Sequence, residues 1–471
     1  MQKRVVILGA GPAGLSAGWK LAEKGFKVDL LELDSRVGGL CKSYYYEDYT
    51  FDLGGHRFIT KDDELLKDVL DLMGDELFES PRKSVVRLKG KYFYYPLAGK
   101  DLILKMNPVT SAKCFLDYVY VSARNKVARS KEVSLEDWVV NRFGRGLYNI
   151  YFGPYSEKLW GLHPSKISKD WAAQRISLLN LWDVFLRLLG KTRNAPKTYA
   201  TRFFYPVKGG IGRMCDKMAE RITAAGGTIH LSSPVTSIRV EGGRIKEVVY
   251  RQDGAEKTIS GDYIISTVPL PQLIKSITPK VDDKYLKVAD TMKFRSLRFL
   301  NILIDSKQIS DNTWIYIPEE KFKIMRIQEP KNWSPTNAPP DKTSLILELA
   351  CDEGDDIWRA DEDALTTQCT DELRKLGLLN GERIIHKFTT RIEHAYPIYT
   401  LDYHKKVRTI FELFAGMDNF IPIGRQGLYR YNNMDHSMKM GILAAESITA
   451  GRSRDEIFRV AQEEVAFEMD R

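Results

Sequence analysis

Cysteine is scarce in this 471-residue chain: there are five, Cys41, Cys114, Cys215, Cys351 and Cys369, odd in number and with no CxxC pair. That excludes a disulfide-stapled scaffold and a structural metal site, and it predicts a reduced, cytoplasmic setting. Long apolar runs are missing too. No run reaches the roughly 20 residues of a spanning helix, and no signal-peptide pattern precedes the first predicted strand. The amphipathic segment 178–189 reads as a core-facing helix or as a membrane contact, so stable membrane insertion is not expected. No lysine and arginine block is long or regular enough to argue for nucleic acid. The net charge of +9 suits an anionic small-molecule ligand, such as a nucleotide diphosphate, as well as it suits a solvated surface.

What is present is a soluble globular composition, 43% hydrophobic and 28% charged, in a chain too long for one ordinary core. Its first forty residues are the most informative. Val5 to Leu8 form an apolar run fit for a strand buried on both faces. Gly9, Gly11 and Gly14 follow. Their spacing gives a tight turn, a close approach of backbone to a pyrophosphate, and close packing of the next helix on the sheet. That helix is predicted over 13–24. A second strand, 27–33, carries Glu32 near its end, at the spacing of an acid that hydrogen-bonds a ribose hydroxyl. Strand, glycines, helix and acid in that order argue for a bound dinucleotide.

Farther along, Gly54-Gly55-His56 reads as backbone in close contact with a cofactor ring, with His56 lining the site or serving structure alone. A helix over 62–73 and a hairpin over 84–95 are predicted. Tyr155, Lys158 and Trp160 lie in an aromatic segment that could stack a base and hold a phosphate, or pack as a core helix face. The chain then returns to the nucleotide fold through a glycine-rich loop at 209–212, a helix over 213–225 and a buried strand from Tyr263. Residues 362–376 read as a helix. Near the end, Asp435 and Ser437 are N-cap residue types, predicting a helix over 438–450 whose free N–H groups face the ring. The expected fold class is α/β. Residues 1–75, 200–289 and 400–471 are expected to form a Rossmann-like dinucleotide-binding domain, and 76–199 with 290–399 an inserted helical and strand-containing substrate domain.

Two resemblances refine this. Glu32-x-x-x-Arg36-x-Gly38-Gly39 resembles the extended FAD fingerprint of the amine oxidase, protoporphyrinogen oxidase and phytoene desaturase superfamily, which favours FAD over NAD. Gly424-Arg425-Gln-Gly427, Arg430-Tyr431 and Asp435-His436-Ser437 resemble the closing motif of UDP-galactopyranose mutases. So do Phe51-Asp-x-Gly54-Gly55-His56, Tyr155-x-x-Lys158-x-Trp160, Trp171 with Arg175, Trp314-x-Tyr316-x-Pro318 leading to Arg326, and Tyr396-Pro397.

That resemblance implies a redox-neutral mutase in which reduced flavin acts as the nucleophile toward a nucleotide-diphosphate sugar, with a reductant such as NAD(P)H as partner. It implies that Arg326 and Arg425 bind the diphosphate, with Tyr396 and Tyr431 as hydroxyl partners and His56 beside the flavin. Asp435, His436 and Ser437 fall to the cofactor, and Tyr155, Lys158, Trp160, Arg175 and Asn433 to the substrate. The sequence departs from fungal members at Leu97-Ala98, where they carry a phenylalanine and a base-binding glutamine. It departs again at Asn433-Met434, where they carry an asparagine-glutamine pair. The base and the sugar therefore stay open. The rival expectation is a net FAD-dependent oxidoreductase of the amine oxidase or desaturase type.

Overall fold

A computed structural model describes residues 2–95, 105–127, 131–175 and 202–460, with the backbone alone at 126 and 173–175. Segment 178–189, Leu97 and Ala98 lie outside the described residues. The first strand, Arg4–Leu8, is central in a five-stranded parallel sheet ordered Phe420–Pro422, Tyr263–Ser266, Arg4–Leu8, Lys27–Leu31, Thr228–His230. Val5, Val6, Ile7 and Leu8 are fully buried, as the unbroken apolar run requires of a strand covered on both faces. The sheet thus gathers strands from the beginning, middle and end of the chain.

The helix after the first strand spans Pro12–Glu23, with Pro12 in its first turn, where the missing N–H costs nothing. Gly9 sits at φ +100°, and a Cβ there would lie 2.1 Å from the Thr267 hydroxyl. Gly14 packs against the Gly9 carbonyl, which a Cβ would meet at 2.0 Å. Both positions demand glycine for packing around the turn.

A seven-stranded sheet is assembled from Ser84–Leu88, Lys91–Tyr94 and the strands of 294–397. It is antiparallel except where Trp314–Tyr316 runs parallel to Ser84–Leu88. One of its faces buries Leu345, Leu347 and Leu349 against Leu365, Cys369 and Leu373 of the helix Glu362–Leu376. The opposite face carries a cross-strand row, Tyr316, Arg326, Glu348 and Phe299, set by the pairings Tyr316↔Arg326, Arg326↔Glu348 and Phe299↔Glu348. Register alone brings these side chains together, because directly opposed residues share a face. A four-stranded sheet from 235–278 completes the larger elements.

The last long helix differs from expectation. It spans Met434–Thr449 with Asn433 at the N-cap, and the His436 ring nitrogen accepts the Asn433 N–H at 3.3 Å. Asp435 and Ser437 are therefore first-turn residues and not caps. Asn433, a cap residue type as good as either, takes the position. Among the described residues no helix is long and apolar enough to cross a membrane.

Candidate active site

A cavity of about 940 Å³ runs from the turn after the first strand to the cross-strand row of the seven-stranded sheet. At its near end it is lined by Gly9, Gly11, Pro12, Ala13 and Gly39, and by Glu32 and Asp34. Glu32 is 7% exposed, accepting the Ala10 N–H at 2.7 Å and the Asp34 N–H at 2.9 Å. Burial raises its pKa against those hydrogen bonds. The first helix offers backbone N–H groups with no acidic residue in its first turn, the arrangement that binds a pyrophosphate. Met434 and Ser437 line the far wall, so the 434–449 helix also begins at the cavity. The residues fit a dinucleotide laid from Glu32 to Ser437.

Four expected cofactor residues stand one step back from the wall. Arg36 is not in the cavity wall: it donates to the Ser43 carbonyl at 3.2 Å and lies 4.7 Å over the Tyr45 ring. Gly38, at φ +115°, shapes the turn, where a Cβ would meet Lys42 Cα at 2.9 Å. Asp435 is 3% exposed and, like His436, is absent from the wall.

Gly54, Gly55 and His56 all line the cavity. Asp52 anchors the strand before them, accepting from Ser43 Oγ and the Tyr205 hydroxyl, each at 2.6 Å, and from the Ile211 N–H at 3.1 Å. The glycines answer to protein neighbours. A Cβ on Gly55 would lie 2.1 Å from Trp314 Nε1, and Gly54 sits at φ +88° beside Phe299. Close approach to Trp314 by itself already requires glycine at position 55.

His56 has a buried Nδ1 with no hydrogen-bond partner among the described residues. Burial, then the nearby Arg425 and Arg326 guanidiniums, push its pKa down to about 3, so the ring is neutral at physiological pH. An unfolded histidine titrates near ~6.5. Between that value and about 3 the unfolded chain binds a proton that the folded chain does not. Stability therefore falls as pH falls through this window, by at most about 1.4 kcal/mol per pH unit from this group. His56→Asn is expected to remove that component, so the wild-type Tm drops more steeply than the variant's between about pH 6 and 4. Parallel melting curves would refute the assignment.

The far end of the cavity holds the two expected arginines in different states. Arg326 donates from Nε at 2.9 Å and from Nη2 at 2.6 Å to one oxygen, Glu348 Oε2. Burial is the largest influence and opposes its charge, but Glu348 together with the Tyr396, Tyr316 and Tyr155 hydroxyls raises its pKa. Arg425 forms no ion pair among the described residues. Its guanidinium donates to the Ala395 carbonyl at 3.0 Å and the Asn432 carbonyl at 2.5 Å, flanked by the Tyr396 and Tyr431 rings at 5.5 and 5.0 Å. Those two tyrosines stack at 5.4 Å. Tyr155 and Asn433 also line this end.

Two expected substrate residues are structural. Lys158 donates to the Ile317 carbonyl at 2.8 Å and the Glu319 carbonyl at 2.7 Å, pinning the loop after Tyr316. Burial lowers its pKa to about 8. It cannot reach a phosphate without abandoning that loop. Trp160 is 1% exposed and packs edge-on to Trp171 and Tyr396, one layer behind the wall. Arg175 ends the helix Lys169–Arg175, and its side chain lies outside the described residues. Glu348, fully buried and in the wall, was not singled out from sequence. The signal was there: one acid in the apolar run Leu345-Ile-Leu-Glu348-Leu-Ala350.

Comparison with known proteins agrees with this architecture. The chain is 22% identical over 460 residues to protoporphyrinogen oxidase 2, chloroplastic/mitochondrial, of Arabidopsis thaliana, covering 89% of this chain and 88% of the relative. It is 27% identical over 324 residues to 4,4'-diapophytoene desaturase (4,4'-diapolycopene-forming) of a Methylomonas species, covering 59% of this chain and 58% of the relative. Its fold is similar to that of reduced UDP-galactopyranose mutase, with a TM-score of 0.86 at 24% identity over 99% of this chain and 100% of that one. The family model described as flavin containing amine oxidoreductase matches residues 12–402. The chain therefore belongs to the flavin containing amine oxidoreductase family, as an FAD-dependent enzyme.

Proposed function

We propose that this enzyme is a redox-neutral mutase acting on a nucleotide-diphosphate sugar. The observation that carries the reading is Arg425: a guanidinium fixed by two backbone carbonyls in the wall of the cavity, with no carboxylate among the described residues to neutralise it. Such a group is ready for an anion, and its planar fork matches the paired oxygens of a diphosphate. Tyr396 and Tyr155 stand nearby as neutral phenols able to donate, because burial, with Glu348 adding to it, raises their pKa values. His56, also neutral, adds no competing charge. The fold shared with UDP-galactopyranose mutase supports the same reading. Bound reduced FAD would supply the nucleophile and return in the same oxidation state. The chain's own part is to hold the diphosphate, orient the sugar and keep the phenolic protons in place.

The named relatives favour a second reading, a net oxidoreductase, since one is an oxidase and the other a desaturase. One experiment separates the two. The flavin is reduced anaerobically, a panel of nucleotide sugars is added, and products are resolved chromatographically while the flavin spectrum is followed. The mutase reading expects a ring-isomerised nucleotide sugar with the flavin still reduced. Substrate consumption by oxidised enzyme with stoichiometric reduction of oxygen would overturn it.

A further inference from the structure

We propose that Glu348 selects the sugar half of the substrate, its second carboxylate oxygen accepting a hydroxyl of the hexose while Arg425 takes the diphosphate. This rests on the nucleotide-sugar reading above and changes the role expected of Arg326, from a diphosphate ligand to the counter-charge of a recognition group.

The geometry is asymmetric. Both Arg326 contacts go to Oε2, while Oε1 is buried with no hydrogen-bond partner among the described residues. Glu348 is 0% exposed and lies in the cavity wall. An ionised oxygen held dry without a donor is costly, and the sheet gives it no alternative. Its cross-strand neighbours are Arg326 and Phe299, the first already committed to the other oxygen. A ligand that brings a donor removes that cost.

The class of donor follows from charge. Phosphate has no hydrogen to offer this oxygen at neutral pH. An ammonium group would meet Arg326, which has already neutralised Glu348, and Arg425, which no carboxylate among the described residues neutralises, so a cation is disfavoured. A neutral hydroxyl needs only an acceptor. A site built to hydrogen-bond a hydroxyl rejects the analogue lacking it far more strongly than an apolar pocket rejects a size change.

The test uses the holoenzyme with nucleotide-diphosphate hexoses, each measured beside its bare nucleoside diphosphate by calorimetry. For a hexose that binds, the monodeoxy analogues are titrated against unmodified enzyme. One of them is expected to bind about ten- to a hundredfold more weakly. Glu348→Gln retains an oxygen for Arg326. It should cut the preference for nucleotide hexose over bare nucleotide by about tenfold, leaving the bare diphosphate within about twofold. The inference is overturned if every deoxy analogue binds within about twofold of its parent, or if Glu348→Gln weakens bare and sugar-bearing nucleotides equally. Should the variant fail to fold, the deoxy series on unmodified enzyme decides alone. Absence of binding by any nucleotide hexose overturns the proposed function and this inference together, whereas binding without discrimination overturns this inference only.

Discussion

Arg425→Ala is expected to weaken nucleotide-sugar binding by at least about a hundredfold, consistent with the ~2–5 kcal/mol cost of truncating one partner of a desolvated, charge-assisted contact. The bound flavin should remain with its spectrum unchanged. Two observations separate the effects. Arg425 lines the wall without an ion pair among the described residues, held instead by Ala395 and Asn432 carbonyls. The groups that fit the adenosine and pyrophosphate, Glu32 and the Gly9 to Ala13 turn, have contacts of their own, the Ala10 and Asp34 N–H groups on Glu32, in which the Arg425 side chain takes no part. Titration of bare nucleoside diphosphate into purified holoprotein checks this, and unchanged affinity would remove Arg425 from the anion site. Arg326→Ala is not an equivalent experiment. It strips the counter-charge from fully buried Glu348, so its loss of function would mix binding with unfolding.

The difference between the two arginines shows where reading the sequence runs out. Both sit in matching motifs, and both reach one cavity. Pairing of Arg326 with Glu348 is a fact of sheet register, fixed by strands 22 residues apart in the chain meeting antiparallel, and no local pattern encodes it. Features written in local order were legible. The first strand, the three glycines, the helix and Glu32 appear where their spacing puts them, because each is constrained by neighbours within about thirty residues.

Lys158 shows the opposite failure. Its position among aromatics matched a phosphate-binding motif, yet three carbonyls of the 317–324 loop lie within hydrogen-bond reach of its ammonium. A long side chain answers to whichever partners tertiary structure brings near. The glycine pair predicts close approach at Gly55, and one approaching group is Trp314, some 260 residues later. Spacing announces a crowded backbone; it does not name what crowds it.

Gly441→Ala is expected to yield protein nearly free of flavin, with a stability loss of about 3 kcal/mol or more, at the upper end of overpacking effects. A Cβ at this position would lie 2.2 Å from the Ala13 carbonyl oxygen, 2.2 Å from Ser16 Oγ and 2.9 Å from the Ala17 nitrogen. Ser16 Oγ is itself shared between the Ala13 carbonyl at 3.1 Å and the Met438 carbonyl at 3.0 Å. The obstruction is therefore helix backbone against helix backbone, which cannot be relieved by turning a side chain. The helices Pro12–Glu23 and Met434–Thr449 must separate by an ångström or more, estimated from contact distances near ~3.4 Å or above. Both helices begin at the cavity, through Pro12 and Ala13 on one and Met434 and Ser437 on the other. Moving them apart spoils the pyrophosphate cradle and the ring end at once. The ratio of flavin to protein absorbance after purification, with Tm alongside, reads the effect. Gly416→Ala is the control, since a Cβ there would meet only the Leu413 carbonyl oxygen at 3.6 Å. Full flavin occupancy in Gly441→Ala would mean that this crossing does not set the distance between the two helix ends.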